Sequence, residues 1–223
     1  MKARKGEGKT NMGIRTAAVV GTGAVGAALA RSLVGHGIDV QLASRDGDKV
    51  QKLAKELGDR ARAVDTKALG QDVDIVFLAV PAEAAGAVLE EATGLVGAVI
   101  VDCTNPLTWN AGPVHAPTEE GSITAQLARR FPRARLVKAF NTFGAEFHAD
   151  PRLGAGAADL YLAGDDAEAK RTVSDLARTL GFEPVDVGPL RNARHLESLA
   201  ILWIHLATVG GKGRDVAFKL LHR

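Results

Sequence analysis

Ala17-Ala18-Val19-Val20-Gly21-Thr22-Gly23-Ala24-Val25-Gly26-Ala27-Ala28-Leu29-Ala30 runs from an apolar strand-like segment through a glycine turn into a helical pattern that continues to Val34. A bare G-x-G-x-x-G means little, but between a strand and a helix each glycine has a task. Gly21 makes the tight turn, Gly23 lets the backbone approach a pyrophosphate, and Gly26 allows the helix to lie close on the sheet. The free N–H groups at the helix start then face the phosphates. This is the opening of a doubly wound, Rossmann-type α/β sheet that binds a dinucleotide.

The second strand, Ile38-Asp39-Val40-Gln41-Leu42-Ala43, ends in Ser44-Arg45. A site for NAD carries an Asp or Glu there, to hold the ribose 2′-hydroxyl. A hydroxyl and a guanidinium suit a 2′-phosphate instead, so NADP(H) is the expected cofactor. Lys49, one helical turn further on, supplies a second positive charge. The plainer alternative is that Arg45 and Lys49 are solvated charges at a helix start, with Asp46 and Asp48 between them.

The chain has 223 residues, 46% hydrophobic and 24% charged, enough for one sizeable core without covalent staples. Its net charge of +2 is unevenly spread: Lys2, Arg4, Lys5, Lys9 and Arg15 against Glu7 make the first 15 residues basic and leave the remainder at −2. The body therefore carries no nucleic-acid signature. A single cysteine, Cys103, excludes a disulfide framework and any multi-cysteine metal site, and no metal is expected. No secretory signal is visible, and the apolar stretch 199–209 is too short to span a bilayer, so no membrane partner and a cytoplasmic location are expected.

Residues 1–13 read as a flexible basic tail and 14–188 as the NADP-binding Rossmann domain. Within that domain, the periodicity predicts helices over 46–57, 82–92, 122–130 and 166–180. Strands are predicted over 62–64, 73–80, 99–101, 135–140, 159–163 and 183–187. Strands separated by helices of this length specify a parallel sheet with right-handed crossovers. Residues 189–223 read as a C-terminal helical extension, with one helix over 189–208 and a second beyond Gly210-Gly211.

Ligands in such sheets sit beyond the carboxyl ends of the strands. The segments to watch are Ala79-Val80-Pro81, the stretch 102–107, Phe140-Asn141-Thr142-Phe143-Gly144-Ala145, and the stretch 187–192. Taken with the glycine turn and Ala43-Ser44-Arg45, several of their motifs are recognisable: Thr104-Asn105-Pro106, VKAFNT (137–142), AGDD (163–166) and GPLRNARHLES (188–198). In that order and spacing the chain resembles the coenzyme F420-dependent NADP oxidoreductase family and the oxidoreductase domain of transmembrane metalloreductases.

The resemblance implies that Thr22, Gly23, Ala24 and Val25 hold the pyrophosphate, while Ser44, Arg45 and Lys49 hold the 2′-phosphate. Val80 and Ala145 would border the nicotinamide, with Asn105 in the cofactor-binding set. It also implies direct hydride transfer between nicotinamide and a flavin-like ring, which needs alignment of two flat rings more than an acid or base. Asn141, Thr142 and Gly144 would do that aligning.

The family's archaeal members carry a histidine and a proline where this chain has Asn141 and Gly144. The Ala-Phe-Asn-Thr version is closer to the metalloreductase domain, whose redox partner is an ordinary flavin. Asn141 can donate and accept, so it can orient a carboxamide or a ring carbonyl; alternatively it caps the following short helix. His195 reads as structural, Arg194 and Glu197 as solvated charges that pair along or across helices, and Cys103 as a packing residue. The stretch 109–120 is a surface connection or a lid. No Ser-His-Asp set, catalytic lysine or functional carboxylate pair is evident.

The expected activity is NADPH-dependent reduction of a small-molecule redox acceptor, coenzyme F420 first and FMN or FAD second. The alternatives are a reductase of a small carbonyl or imine, and a non-catalytic NADP(H)-sensing protein. Leu196, Leu199, Trp203 and Leu206 share one helical stripe that reads first as core; a helix with Leu199, Leu202, Trp203 and Leu206 exposed would leave a large apolar patch in water, so a homodimer is expected through residues 189–221, a segment that would also border the acceptor cleft.

Overall fold

The structure, a computed structural model, describes residues 13–70, 72–154 and 156–223. Apart from Gly13, the tail expected over 1–13 lies outside them. In chain order the elements are β1 (Thr16–Val20), α1 (Ala24–Gly35), β2 (Asp39–Ala43), α2 (Gly47–Leu57), β3 (Ala61–Ala63), β4 (Ile75–Leu78), α3 (Ala85–Glu91), β5 (Val99–Asp102), β6 (Leu107–Trp109) and β7 (Pro113–His115). There follow α4 (Ile123–Arg130), β8 (Arg135–Lys138), α5 (Glu146–Ala149), β9 (Arg152–Leu153), β10 (Gly156–Ala157), β11 (Asp159–Gly164), α6 (Ala167–Thr179), β12 (Glu183–Asp186) and α7 (Ala193–Ala207).

Eight strands form one sheet in the order β12-β11-β8-β5-β4-β1-β2-β3. The six from β8 to β3 are mutually parallel. Strand order reverses between β1 and β4, which opens a crevice at their carboxyl ends. This is the Rossmann-type fold expected from the sequence. β4 shows why its strands read as continuous apolar runs: Ile75 and Phe77 enter the core under α1, α2 and α6, while Val76 and Leu78 enter the core under α3 and α4. Helix starts follow local chemistry. Asp46, Ser122 and Asp166 cap α2, α4 and α6 by accepting from backbone N–H groups of the first turn.

Two departures from expectation have physical causes. β11 runs antiparallel to β8 and carries β12 with it, because the link from β8 contains only the single turn α5 and the β9–β10 hairpin, and no helix to cross the sheet. At the start of the stretch 109–120, Leu107–Trp109 and Pro113–His115 pair as an antiparallel hairpin.

The second C-terminal helix is not formed. Gly211 and Gly213 take positive φ, and an isolated helix of this length would be marginal. Specific contacts tie down the extended chain instead. Trp203 Nε1 donates to Val216 O, Arg214 pairs with Glu146, and Lys219 pairs with Asp159.

Candidate functional site

The glycine turn closes the crevice at β1. Gly21 has φ 109°, and a Cβ there would stand 2.2 Å from Ala79 O. A Cβ on Gly26 would stand 1.9 Å from Gly21 O, so these two positions let α1 settle against the turn and β4. Gly23 is different, with nothing within 4 Å of its Cβ direction and ordinary negative φ. It faces open space. Gly23 is the N-cap of α1 without a side-chain cap, and its carbonyl takes the first helical bond from Ala27 N at 2.9 Å. Exposed Ala24, partly exposed Thr22 and Val25, and buried Gly26 complete an uncapped helix start of the kind that suits a diphosphate.

At the end of β2, Ser44 is half-buried and Arg45 exposed. Arg45 has no carboxylate partner among the described residues. Lys49, in contrast, is committed to Asp46 at 2.9 Å. That pair is exposed and therefore weak, so Lys49 can leave it for a stronger anion. The structure thus places Ser44, whose Oγ accepts from Asp46 N at 3.3 Å, beside Arg45, with Lys49 paired to Asp46 one turn on.

Beyond β5 and β8 the two asparagines interlock. Asn141 Nδ2 donates to Asn105 Oδ1 at 2.8 Å and to Leu196 O at 3.2 Å, and Asn105 Nδ2 donates to Asn141 O at 3.0 Å. Asn141 therefore does not cap α5, whose N-cap is Ala145 without a side-chain bond. Asn141 is only 5% exposed, yet its Oδ1 has no hydrogen-bond partner. An acceptor so placed is open to a donor from water or a ligand. Phe140, just before it, holds φ 59°, a strained value for a bulky residue, and is wedged among Phe77, His148 and Phe182.

Val80 stands half-buried beside the glycine turn, while Thr142 and Ala145 are buried. Gly144 does not line an open cleft. A Cβ there would stand 2.8 Å from the Trp203 ring and 2.4 Å from Glu146 Oε2, so Gly144 is where α7 packs on the loop.

Sequence reasoning missed what lies beneath the asparagines. Lys138, Asp102 and Glu197 are all 0% exposed. Lys138 Nζ donates to Asp102 Oδ2 at 3.1 Å, to Glu197 Oε1 at 3.0 Å and to Thr104 O. Asp102 also accepts from Thr104 N at 2.9 Å and Thr124 Oγ1 at 2.6 Å. Glu197 is thus no solvated partner of Arg194, whose Nε instead bonds Arg191 O. Burial pushes the Glu197 carboxyl above its ordinary range, against the pull of Lys138. A signal existed in the sequence: Asp102 and Lys138 each end a strand buried on both faces, and they are register partners.

The remaining candidates are quiet. Cys103 is buried, and burial with Asp102 beside it pushes its thiol up, as suits a packing residue. His195 is exposed. A cavity of about 660 Å³ opens between α3, α4 and both flanks of the β6–β7 hairpin, with Asn105, Pro106, Leu107 and Thr118 in its wall.

Comparison with known proteins identifies the family. Residues 16–106 match the family described as NADP oxidoreductase, coenzyme F420-dependent. An F420-dependent NADP reductase of Methanothermobacter marburgensis is 30% identical over 207 residues, covering 86% of this chain and 92% of the relative. The metalloreductase STEAP3 of Rattus norvegicus is 33% identical over 184 residues, 82% of this chain. The match spans only 36% of that longer protein. A crystal structure from Arthrobacter sp. FB24, titled as a candidate F420-dependent NADP-reductase, superposes with TM-score 0.84 at 29% identity, covering 94% of this chain and all of the other.

Proposed function

We propose that this chain, which belongs to the coenzyme F420-dependent NADP oxidoreductase family, moves a hydride between NADP(H) and a flavin-like acceptor, with coenzyme F420 as first candidate and FMN or FAD as second. The observation that carries the reading is the buried, partnerless Oδ1 of Asn141, fixed by Asn105 and Leu196 at the carboxyl end of β8. A carboxamide or ring N–H would satisfy it, and that single bond would set the angle of a flat ring in the crevice.

The open Gly23 and the free N–H groups after it suit a pyrophosphate, and Ser44 with Arg45 suits a 2′-phosphate. The bound nicotinamide would supply the hydride. What the chain does is bind, orient and exclude water. The segments Ala79-Val80 and Asn141-Thr142 would border the ring pocket, and the Asn105–Asn141 pair would resist rotation of the ring. Reduction of the acceptor consumes one proton along with the hydride, and no side chain need form a covalent bond.

The test is turnover of NADPH and of NADH against a panel of deazaflavin, FMN, FAD, small ketone and imine acceptors. The reading expects NADPH oxidation with a deazaflavin or flavin and much weaker use of NADH. Oxidation driven by a ketone or imine alone would replace it with the carbonyl or imine reductase reading. NADPH binding without any turnover would leave a sensor.

A further inference from the structure

Buried charges at the end of β5 and β8 leave one oxygen unaccounted for. Lys138 spends its three protons on Asp102, Glu197 and Thr104 O, and so stands as a cation. Asp102 accepts three hydrogen bonds and balances it as a carboxylate. Glu197 Oε1 accepts from Lys138 Nζ and from Ile123 N, but Oε2 has no hydrogen-bond partner. It faces His115 Nε2 at 3.7 Å, and that nitrogen is likewise buried and partnerless. A fully buried, unpaired carboxylate is costly. The cluster is neutral when one proton resides on this pair, either on Glu197 Oε2 or on the imidazole, and is left with an uncompensated charge when it does not.

We propose that Glu197 and His115 share one proton, that this proton latches the β6–β7 hairpin onto α7, and that Glu197 thereby acts as a positioning residue for the Asn105–Asn141 pair. His115 ends the hairpin and is the only ionisable residue in 107–115. Glu197 follows Leu196, whose carbonyl anchors Asn141 Nδ2. Losing the proton removes the hairpin's one ionic tie and loosens the turn of α7 that holds Asn141. The positioning half rests on the hydride-transfer reading; the latch does not.

Other charged groups near the pair have their own commitments. α4 directs its N-terminal Ile123 N–H at Glu197, Glu120 pairs with Arg129, and Arg194 points away along α7. His205 lies at the hairpin tip, 3.8 Å from where a Gly112 Cβ would stand, and therefore needs its own control.

The direction of the pH effect follows from the upward push on Glu197: the latch is complete at lower pH and is lost as pH rises through the point where the pair gives up its proton. The experiment is amide hydrogen exchange on the full chain without cofactor, corrected for intrinsic rates, from about pH 6 to about pH 9. Protection of the hairpin amides and of Ile123 N–H should fall by up to about tenfold per pH unit along one limb, the slope of a single proton.

Glu197→Gln carries no charge at any pH and can still donate to His115, so it should lose the falling limb. His115→Ala should lack the limb and protect the hairpin poorly throughout, which keeps the test alive if the glutamine variant does not fold. His205→Gln should keep the wild-type limb. A level wild-type profile, a limb that survives in Glu197→Gln or His115→Ala, or one that vanishes in His205→Gln overturns the latch.

Single-turnover oxidation of NADPH by the best acceptor should follow the same limb in the wild type and lose it in Glu197→Gln, with NADPH affinity constant throughout. A turnover profile without that limb overturns the positioning role. Failure to turn over with every acceptor would instead count against the proposed function, while the exchange limb still decides the latch.

Discussion

Arg45 stands exposed at the end of β2 without a carboxylate partner among the described residues, and the hydroxyl of Ser44 sits beside it. If this pair reads a 2′-phosphate, Arg45→Ala removes a charged hydrogen bond worth about 1.5–3 kcal/mol, so NADPH affinity should fall about tenfold or more while NADH affinity barely moves. Equal wild-type affinities for the two cofactors in a titration would defeat the assignment. His148 makes a second residue-scale case. It is 1% exposed among Phe140, Phe143 and Phe182, neither ring nitrogen has a hydrogen-bond partner, and burial pushes it down to about 4. A histidine held neutral in the fold stabilises it above its unfolded value of 6.5, and that contribution is lost as pH falls towards about 4. The difference amounts to about 3 kcal/mol over this window. Urea unfolding of His148→Leu should show a shallower loss of stability over that window than the wild type; parallel curves would mean the ring is charged or solvated in the fold.

Within the strand–turn–helix element, the same change at two glycines should fail in two different ways. An added methyl at Gly26 would collide with Gly21 O, 1.9 Å away, so Gly26→Ala must push α1 off the sheet. Overpacking of this kind costs about 1–3 kcal/mol, read as a lower Tm. Gly23 has φ −71° and empty space ahead of it. Gly23→Ala should therefore keep its Tm and yet weaken NADPH by about tenfold or more, equivalent to about 1.4 kcal/mol, because the methyl would occupy the pyrophosphate's place. Equal loss of Tm in both variants would show that Gly23 serves only the turn. Gly144 teaches the opposite lesson, since its neighbour is the Trp203 ring. Enlarging it to Leu would disturb α7 packing, and so would not be a clean probe of the ring pocket.

Over the whole molecule, α7 turns Leu196 and Trp203 into the core and leaves Leu202 outside. Trp109 and Val114 on the hairpin, with Leu202 and Val209 at 48% and 51% exposure, give an apolar outer face larger than a capping element needs. We expect a homodimer through this face, narrower than the set read from the sequence because Trp203 is core and Leu199 and Leu206 are partly buried, which leaves only Leu202 of that set exposed. Sedimentation equilibrium should report a dimer at micromolar concentration, and Leu202→Glu combined with Trp109→Glu should report a monomer. A wild type that stays monomeric under those conditions would end the idea. Among the described residues no helix is long and apolar enough to cross a membrane.

The Rossmann crevice was legible in the sequence because its signals are local. A glycine either fits a turn or does not, a strand buried on both faces must be apolar throughout, and an Asp, Ser or Asn before a periodic run caps a helix. Ser44-Arg45 and the asparagine after β8 could be named for the same reason: they stand at strand ends, where this fold puts its ligands. What neighbours across the chain decide could not be read. Glu197 stands in Arg194-His195-Leu196-Glu197-Ser198, which looks like any half-solvated helical turn, yet the sheet buries it 59 positions away from Lys138. The reversed β11, the docked extended tail and the filled space at Gly144 belong to the same class. Periodicity tells which face of an element is apolar; only packing tells which charge that face must enclose, and burial is what turns an ordinary Lys, Asp and Glu into a coupled site.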